Sequence, residues 1–571
     1  MPALDLYTSP SIVQPRHIPQ PSRPASPLDP DKESRARDVS PDPMNSLMEA
    51  TRMNGLRSQL RSAKQRRKGG MRRRDHDLIA QNLLSETDAE EMLHLFKNSH
   101  NPHLFSAGIA DDATIASLRS SSTVLFTAVM LVAAFHVEGR ESMHDTVHGH
   151  FMGLVTSVMW DRFHTLDDIR GIAIAAFWQP YLSWKLSGLS IRMATELNLH
   201  HAFYAAFSEQ GISDEERKEG LEKTRLWYLL YILDHQSSIA YTRPSSMSEL
   251  RPIKDFELLL QSGSCTVDDR ALIAQVAGLA ALSRAFDHFG LNPRRVMTGD
   301  DAAILNHTRF ADNIQSWYDR WSISEPTDVA HNASLQYHFS NLVLHSMVLR
   351  GRPLEKLCTL PSSLRPLALK AIESAHAVLQ HFLDDAGFSL RVASVPLYVH
   401  STIAFAVVFL LKLAHRWRDL GITIDPEHRT IPLIKGVTEH LRACKVGANH
   451  MVFSMAKGFE RMLRQPERSS GPDEYHAAGV LTSPNNAQHS NWSREERRGP
   501  GQESGSSAAI LSEMSSTNGT FTADHTHDDI VAPNWDLQDE ELWSVAMGYD
   551  LLEPTLQGGL FTDCDFFSNN W

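Results

Sequence analysis

The sequence predicts an all-α protein, one large helical bundle or array between two tails, and three observations predict it. Apolar residues recur at helical spacing through most of residues 76–466, as where Leu182, Leu186, Leu189, Met193 and Leu197 follow at steps of four, three, four and four. No stretch of convincing length alternates apolar and polar residues as a half-buried strand does. Helix punctuation is clear: Thr242-Arg243-Pro244 stops the run that contains Leu226, Leu229, Leu230 and Leu233, because proline cannot continue the hydrogen-bond ladder.

Composition bounds the rest. A chain of 571 residues is too long for a single small core and leaves room for one large domain with tails, or for two or three domains. A hydrophobic content of 42% and a formal charge of −13 exclude collagenous and membrane-embedded classes. That charge averages a basic front over an acidic back. The four cysteines, Cys265, Cys358, Cys444 and Cys564, are scattered, which argues against a disulfide framework or a close-spaced zinc motif and fits a reducing compartment.

Residues 1–43 are rich in proline and serine and are expected to be disordered, with no secretory signal at their start. Residues 44–75 begin with a weak helical pattern (Met53, Leu56, Leu60, Ala63), short enough to allow only a brief coiled coil. They end in a basic run: Arg57, Arg61, Lys64, Arg66, Arg67, Lys68, Arg72, Arg73 and Arg74, with no acid among them. Such a run suits nuclear import or phosphate neutralisation, against the plainer reading of a solvated linker.

Residues 76–466 read as helices throughout. Ser85 is placed to cap the first, with Asp88 near the positive end of its dipole. Val124–Phe135 and Ile403–Leu411 are apolar runs shorter than the roughly 18–20 residues a membrane crossing needs, so both are expected to be buried helices. Further stripes run over Leu166–Phe177, Ala271–Phe289, Ala302–Trp321, Leu335–Leu349, Leu367–Leu383 and Val437–Leu463. A body of this size can enclose a pocket between helices.

Chemistry in the body is sparse. His144 and His148 lie four apart, on one helical face as metal ligands require; with 29 histidines that step arises by chance, and Gly149 weakens the helix, so an exposed helix face is the expectation. Ser454 and Lys457 match a Ser-x-x-Lys spacing with no second motif to support it. No catalytic or metal-binding residue is assigned. Arg192 beside Glu196, and Arg225 near Asp234, are expected to be structural ion pairs, and Trp227, Tyr228 and Tyr231 to be core.

Residues 467–526 are low in apolar residues and are expected to be a disordered linker, and after Arg498 no lysine or arginine occurs. Residues 527–571 interleave acids with Trp535, Leu542, Trp543, Tyr549, Leu551, Phe561, Phe566 and Phe567. That mixture suits an activation segment whose charge keeps aromatic side chains solvated until a coactivator groove buries them; the competing reading is a terminal helix docked on its own body.

Two blocks in the middle carry a resemblance. GLSIRMATELNLHH contributes Gly188, Arg192, Met193, Ala194, Leu197, Leu199 and His200; RLWYLLYILDHQSS with TRPSSM contributes Arg225, Leu226, Trp227, Tyr231, Asp234, Arg243 and Pro244. Together they resemble the middle homology region of fungal transcription factors, the regulatory domain usually carried behind a binuclear, six-cysteine zinc cluster. VFLLKLAHRW at Val408–Trp417 looks most like the subgroup that activates secreted proteases or weak-acid responses. The family usually has glycine where Thr242 stands, so that turn is a point of difference. The resemblance implies an all-helical domain and a nuclear transcription regulator, an activator of a pathway-specific gene set. It also implies DNA as a partner, directly or through another protein, homo- or heterodimers, a coactivator, and no membrane.

No cysteine precedes Cys265, so a zinc-cluster reader is not recognisable in this sequence, and zinc is expected only with such a cluster. A shortened gene model, a cluster-less regulator acting through a DNA-binding partner, or DNA contact through the basic run would each account for that. A helical small-ligand-binding protein without catalysis is the alternative from another class.

Overall fold

A computed structural model describes residues 77–464, apart from 162–163, 209–212, 291–294, 324–326, 353–359, 386, 388–390 and 415–427. The basic run at 57–74, the 44–63 coiled-coil expectation and the acidic-aromatic segment at 527–571 lie outside the described residues.

Seventeen α-helices and no strand occur among the described residues. In chain order they are α1 Glu86–Ser99, α2 Ile115–Ser121, α3 Thr123–Phe135, α4 Glu141–Met159, α5 Leu166–Trp178, α6 Ser183–Glu196, α7 Ala202–Ser208, α8 Asp214–Ala240 and α9 Arg251–Lys254. Then come α10 Glu257–Leu260, α11 Val267–Phe289, α12 Asp301–Ile323, α13 Thr327–Ser346, α14 Arg365–Asp384, α15 Leu397–Ala414, α16 Thr430–Arg442 and α17 Met451–Arg464.

Side-chain oxygens set many of the starts. Ser85 Oγ accepts the Asp88 amide at 3.0 Å, as its position predicts. Thr165, Ser213 and Thr266 form reciprocal capping boxes with Asp168, Glu216 and Asp269, each satisfying an amide that the helix leaves unpaired. Asp168 also accepts from Ser122 Oγ at 2.7 Å, and Ser122 caps α3. One buried carboxylate therefore ties two helix starts together.

Two groups of helices share a core that runs from Leu78 to Phe459. In the first, α3 is buried along its length and packs against α1, α2, α4 and α5. Gly171 permits the closest approach: a Cβ there would lie 2.7 Å from the Leu125 amide nitrogen on α3. In the second, α11, α12, α13 and α14 pack in succession. Helices α8 and α15 join the groups, α8 touching α5, α6, α7, α11 and α15.

Helix α15 extends the nine-residue apolar run to 18 residues with a mean hydropathy of 1.9, enough by length and composition to cross a membrane. It is 72% buried, packed among α5, α8, α14, α16 and α17, which is the setting of a core helix. The Val437–Leu463 stripe is not one helix. Residues 443–450 break it, and α16 and α17 fold back on each other.

Candidate functional site

The two motif blocks meet at the start of α6 and the end of α8. Helix α6 buries only part of the stripe its large residues mark, Leu186 and Met193. Its buried residues are Ser183, Leu186, Ser187, Ser190, Ile191, Met193 and Ala194, while Leu182, Leu189 and Leu197 are half-buried at the edge. The small side chains at 183, 187, 190 and 194 share the buried face with Leu186, Ile191 and Met193. Gly188 is exposed, and a Cβ added there meets nothing within 4 Å. Arg192 is also exposed, and the expected Arg192–Glu196 pair does not form: the Glu196 carboxylate lies 3.1 Å from Nε2 of the buried His164 instead.

Helix α8 enters the junction through Arg225. The expected pairing with Asp234 is replaced by a two-pronged bond to Asp269, with Arg225 Nε 2.6 Å from Oδ1 and Nη2 2.7 Å from Oδ2. Asp269 is the capping-box residue of α11, so the pair fastens α8 to the start of α11. Burial pushes the Asp269 carboxyl up, but Arg225 and Thr266 outweigh it and hold it below its ordinary value.

Asp234 has another task. Its Oδ2 accepts the Ser246 and Met247 amides at 2.8 and 2.7 Å, holding the loop that follows the proline stop. Burial pushes this carboxyl up to about 6 although both amides pull the other way. Next to it, His235 Nε2 lies 3.1 Å from the Met247 carbonyl, which can only accept, so that nitrogen carries the proton. Nδ1 then accepts from Ser283 Oγ at 2.7 Å. This Ser–His pair has the geometry of an activated nucleophile, but both residues are buried and a carbonyl stands where a carboxylate would orient the base. It is a structural tie.

The turn itself is strained. Thr242 sits at φ +51°, the left-handed region that a β-branched residue rarely adopts. The glycine-like conformation is kept with threonine in place. Arg243 follows with its guanidinium 4.9 Å from the Trp184 ring centroid and 5.6 Å from that of Tyr241, and its backbone bonds to Ser238. Tyr241 donates its hydroxyl to the Pro180 carbonyl at 2.8 Å, so the end of α8 and the approach to α6 are closed together. Pro244 is exposed beyond the turn. Trp227 is buried, as its place on the stripe predicts, with His200 against it at 5.7 Å.

The remaining candidates separate. His144 and His148 share a face of α4, which runs unbroken through Gly149; their rings are 6.0 Å apart and half-buried rather than exposed. Among the described residues no group of three or more histidine, cysteine or acidic side chains is arranged to hold a metal ion. Ser454 and Lys457 both lie on α17, the lysine exposed. A cavity of about 10 Å³ beside Ala274, Gln275 and Trp317 has room for a single water at most. Asp269 was missed as a partner, although Thr266-x-x-Asp269 ahead of an apolar run is a readable capping signal.

A family model, the transcriptional activator of proteases prtT middle domain, matches residues 82–464. The chain belongs to this family. The prtT-like match takes in every helix from α1 to α17, including both motif blocks. The resemblance to a fungal transcription factor middle domain therefore holds. Among characterised proteins, the transcriptional activator of proteases prtT of Emericella nidulans is 31% identical over 442 residues, 75% of this chain. The chain spans 65% of that relative's length.

Proposed function

We propose that this chain is a nuclear transcription regulator that activates a pathway-specific gene set, with genes for secreted proteases the first to examine. The observation that carries this reading is the prtT-like match across the whole described body, together with a relative described as an activator of proteases. The helical body serves as a regulatory scaffold rather than a catalyst. Its buried Asp234 and His235 hold the 246–247 backbone, with Ser283 bonded to His235.

The flanks supply the remaining functions. Residues 57–74 serve nuclear import and phosphate contact through nine cations, and residues 527–571 engage a coactivator through Trp535, Trp543, Phe561 and neighbouring aromatics. Dimerisation through residues 44–63 would double such contacts on DNA. Phosphate contacts carry no sequence information, so the basic run positions the chain while selection comes from another segment or a partner.

Titrating the full-length chain with promoter DNA, against salt and scrambled competitor, tests this division. Weak binding that falls steeply with salt and ignores sequence is expected. Binding that survives excess scrambled DNA would place a sequence reader in this chain. Fusing residues 527–571 to a foreign DNA-binding domain tests the activation segment, and a silent reporter would remove it from the proposal.

A further inference from the structure

Four histidines from distant parts of the chain meet in the interior. His100 follows α1, His136 ends α3, His400 lies on α15, and His450 precedes α17. All four are buried, none more than 7% exposed. Ring centroids are 4.3 Å apart for His100–His136, 5.0 Å for His136–His450 and 6.0 Å for His400–His450. Phe96, Trp178 and Phe135 close around them at 5.7, 5.5 and 4.8 Å.

The hydrogen bonds set the charge state. His450 Nδ1 accepts the Val452 amide at 3.3 Å, which requires an unprotonated nitrogen there. Both ring nitrogens of His100 and of His400 lack a well-formed hydrogen bond. His136 lies between two carbonyls, Nδ1 2.6 Å from that of Val132 and Nε2 3.0 Å from that of Ala393, and the neutral ring donates to one of them.

Charged groups stand back from the rings. The titratable neighbours are His103, with Arg391 acting on it, and His144, which faces Asp145. Glu141 accepts the Ala448 amide at 3.0 Å and so steadies the approach to His450, without bonding to a ring. None of the four is paired with a carboxylate among the described residues.

We infer that the four rings form a proton-operated lock fastening α1 and the segment leading into α17 to the α3–α15 core. Closed, all four are neutral and pack as aromatic rings. A proton on one places a cation 4–6 Å from its neighbouring ring, with no carboxylate paired to it among the described residues. The segments that yield are those carrying His100 and His450, because they dock from the outside onto helices buried along most of their length.

The direction follows from burial, which holds His136 and His400 down at about 4 and His100 and His450 well below their ordinary value. Opened segments titrate near the ordinary value of about 6.5. The closed form therefore binds fewer protons than the open one; the lock is at full strength above about pH 6.5 and weakens as pH falls from there towards 4. This inference concerns the folded body and does not depend on the proposed gene-control role.

Hydrogen exchange of the full-length chain between pH 7.5 and 5, corrected for intrinsic rates, tests it. Residues 95–104 and 446–452 should open at least about tenfold more at pH 5, while α6, which carries no histidine, stays protected. In the double variant His100→Phe, His400→Phe, folded at pH 7.5 by its thermal transition, that rise should shrink by at least about tenfold. Should packing fail, His100→Phe alone gives the same comparison. His307→Gln, in the separate buried His307–His345 pair, should leave the rise unchanged. An equal rise in parent and double variant, or no opening by pH 5, would overturn the lock.

Discussion

Thr242 holds a backbone conformation that costs a β-branched residue about 1–3 kcal/mol, and the surrounding bonds of Tyr241, Arg243 and Ser238 keep it there. Replacing it with glycine removes that cost, less the greater freedom of glycine in the unfolded chain. Thr242→Gly is expected to stabilise the protein by about 1 kcal/mol, read as a higher urea midpoint at unchanged slope. Asp234 works in the opposite sense. Asp234→Ala leaves two buried amides unpaired and should cost about 2–3 kcal/mol, whereas Asp234→Asn keeps an acceptor oxygen and should cost about 1 kcal/mol or less. Equal losses in the same urea titration would show that charge, not acceptance, holds the loop. Residue roles were the least legible level of the sequence. Arg225 has acids nearby on its own helix, yet its partner Asp269 is 44 residues away, and only the packing of α8 against α11 makes that choice.

At the scale of elements, helices were legible wherever large apolar residues repeat and caps precede them, as in α1, α5 and α11. What periodicity did not show is which face makes the closest contact. On α6 Leu189 lies at the rim, while Ser183, Ser187, Ser190 and Ala194 are buried alongside Leu186 and Met193, small side chains that a hydrophobicity pattern overlooks. Gly171 is the same effect on α5, where an added Cβ would meet the Leu125 backbone and no rotamer change can relieve it. Gly171→Ala should cost about 1–3 kcal/mol and lower the thermal midpoint. Gly188→Ala, on an open helix face, should raise stability by about 0.5–1 kcal/mol. The split of Val437–Leu463 into α16 and α17 also escaped the pattern, since one apolar period continues in phase across residues 443–450.

For the whole molecule, the sequence is divided by charge and complexity into a basic front, a helical body and an acidic-aromatic end, and gene control follows from that layout only when joined to the prtT-like family match. The body contributes geometry: capping carboxylates that join helix starts, a strained turn closed by Arg243, and a cluster of buried histidines. Under the proposed role, promoter choice falls to contacts outside the body, and the chain is expected to reach promoters in the cell whether or not it binds them tightly alone. Chromatin profiling of the tagged full-length chain, under conditions that induce secreted proteolysis, tests this most directly. Enrichment at a limited set of promoters that includes protease genes, with their transcripts falling when the chain is removed, is the predicted result. A nuclear chain spread evenly over chromatin, with those transcripts unchanged on its removal, would contradict it.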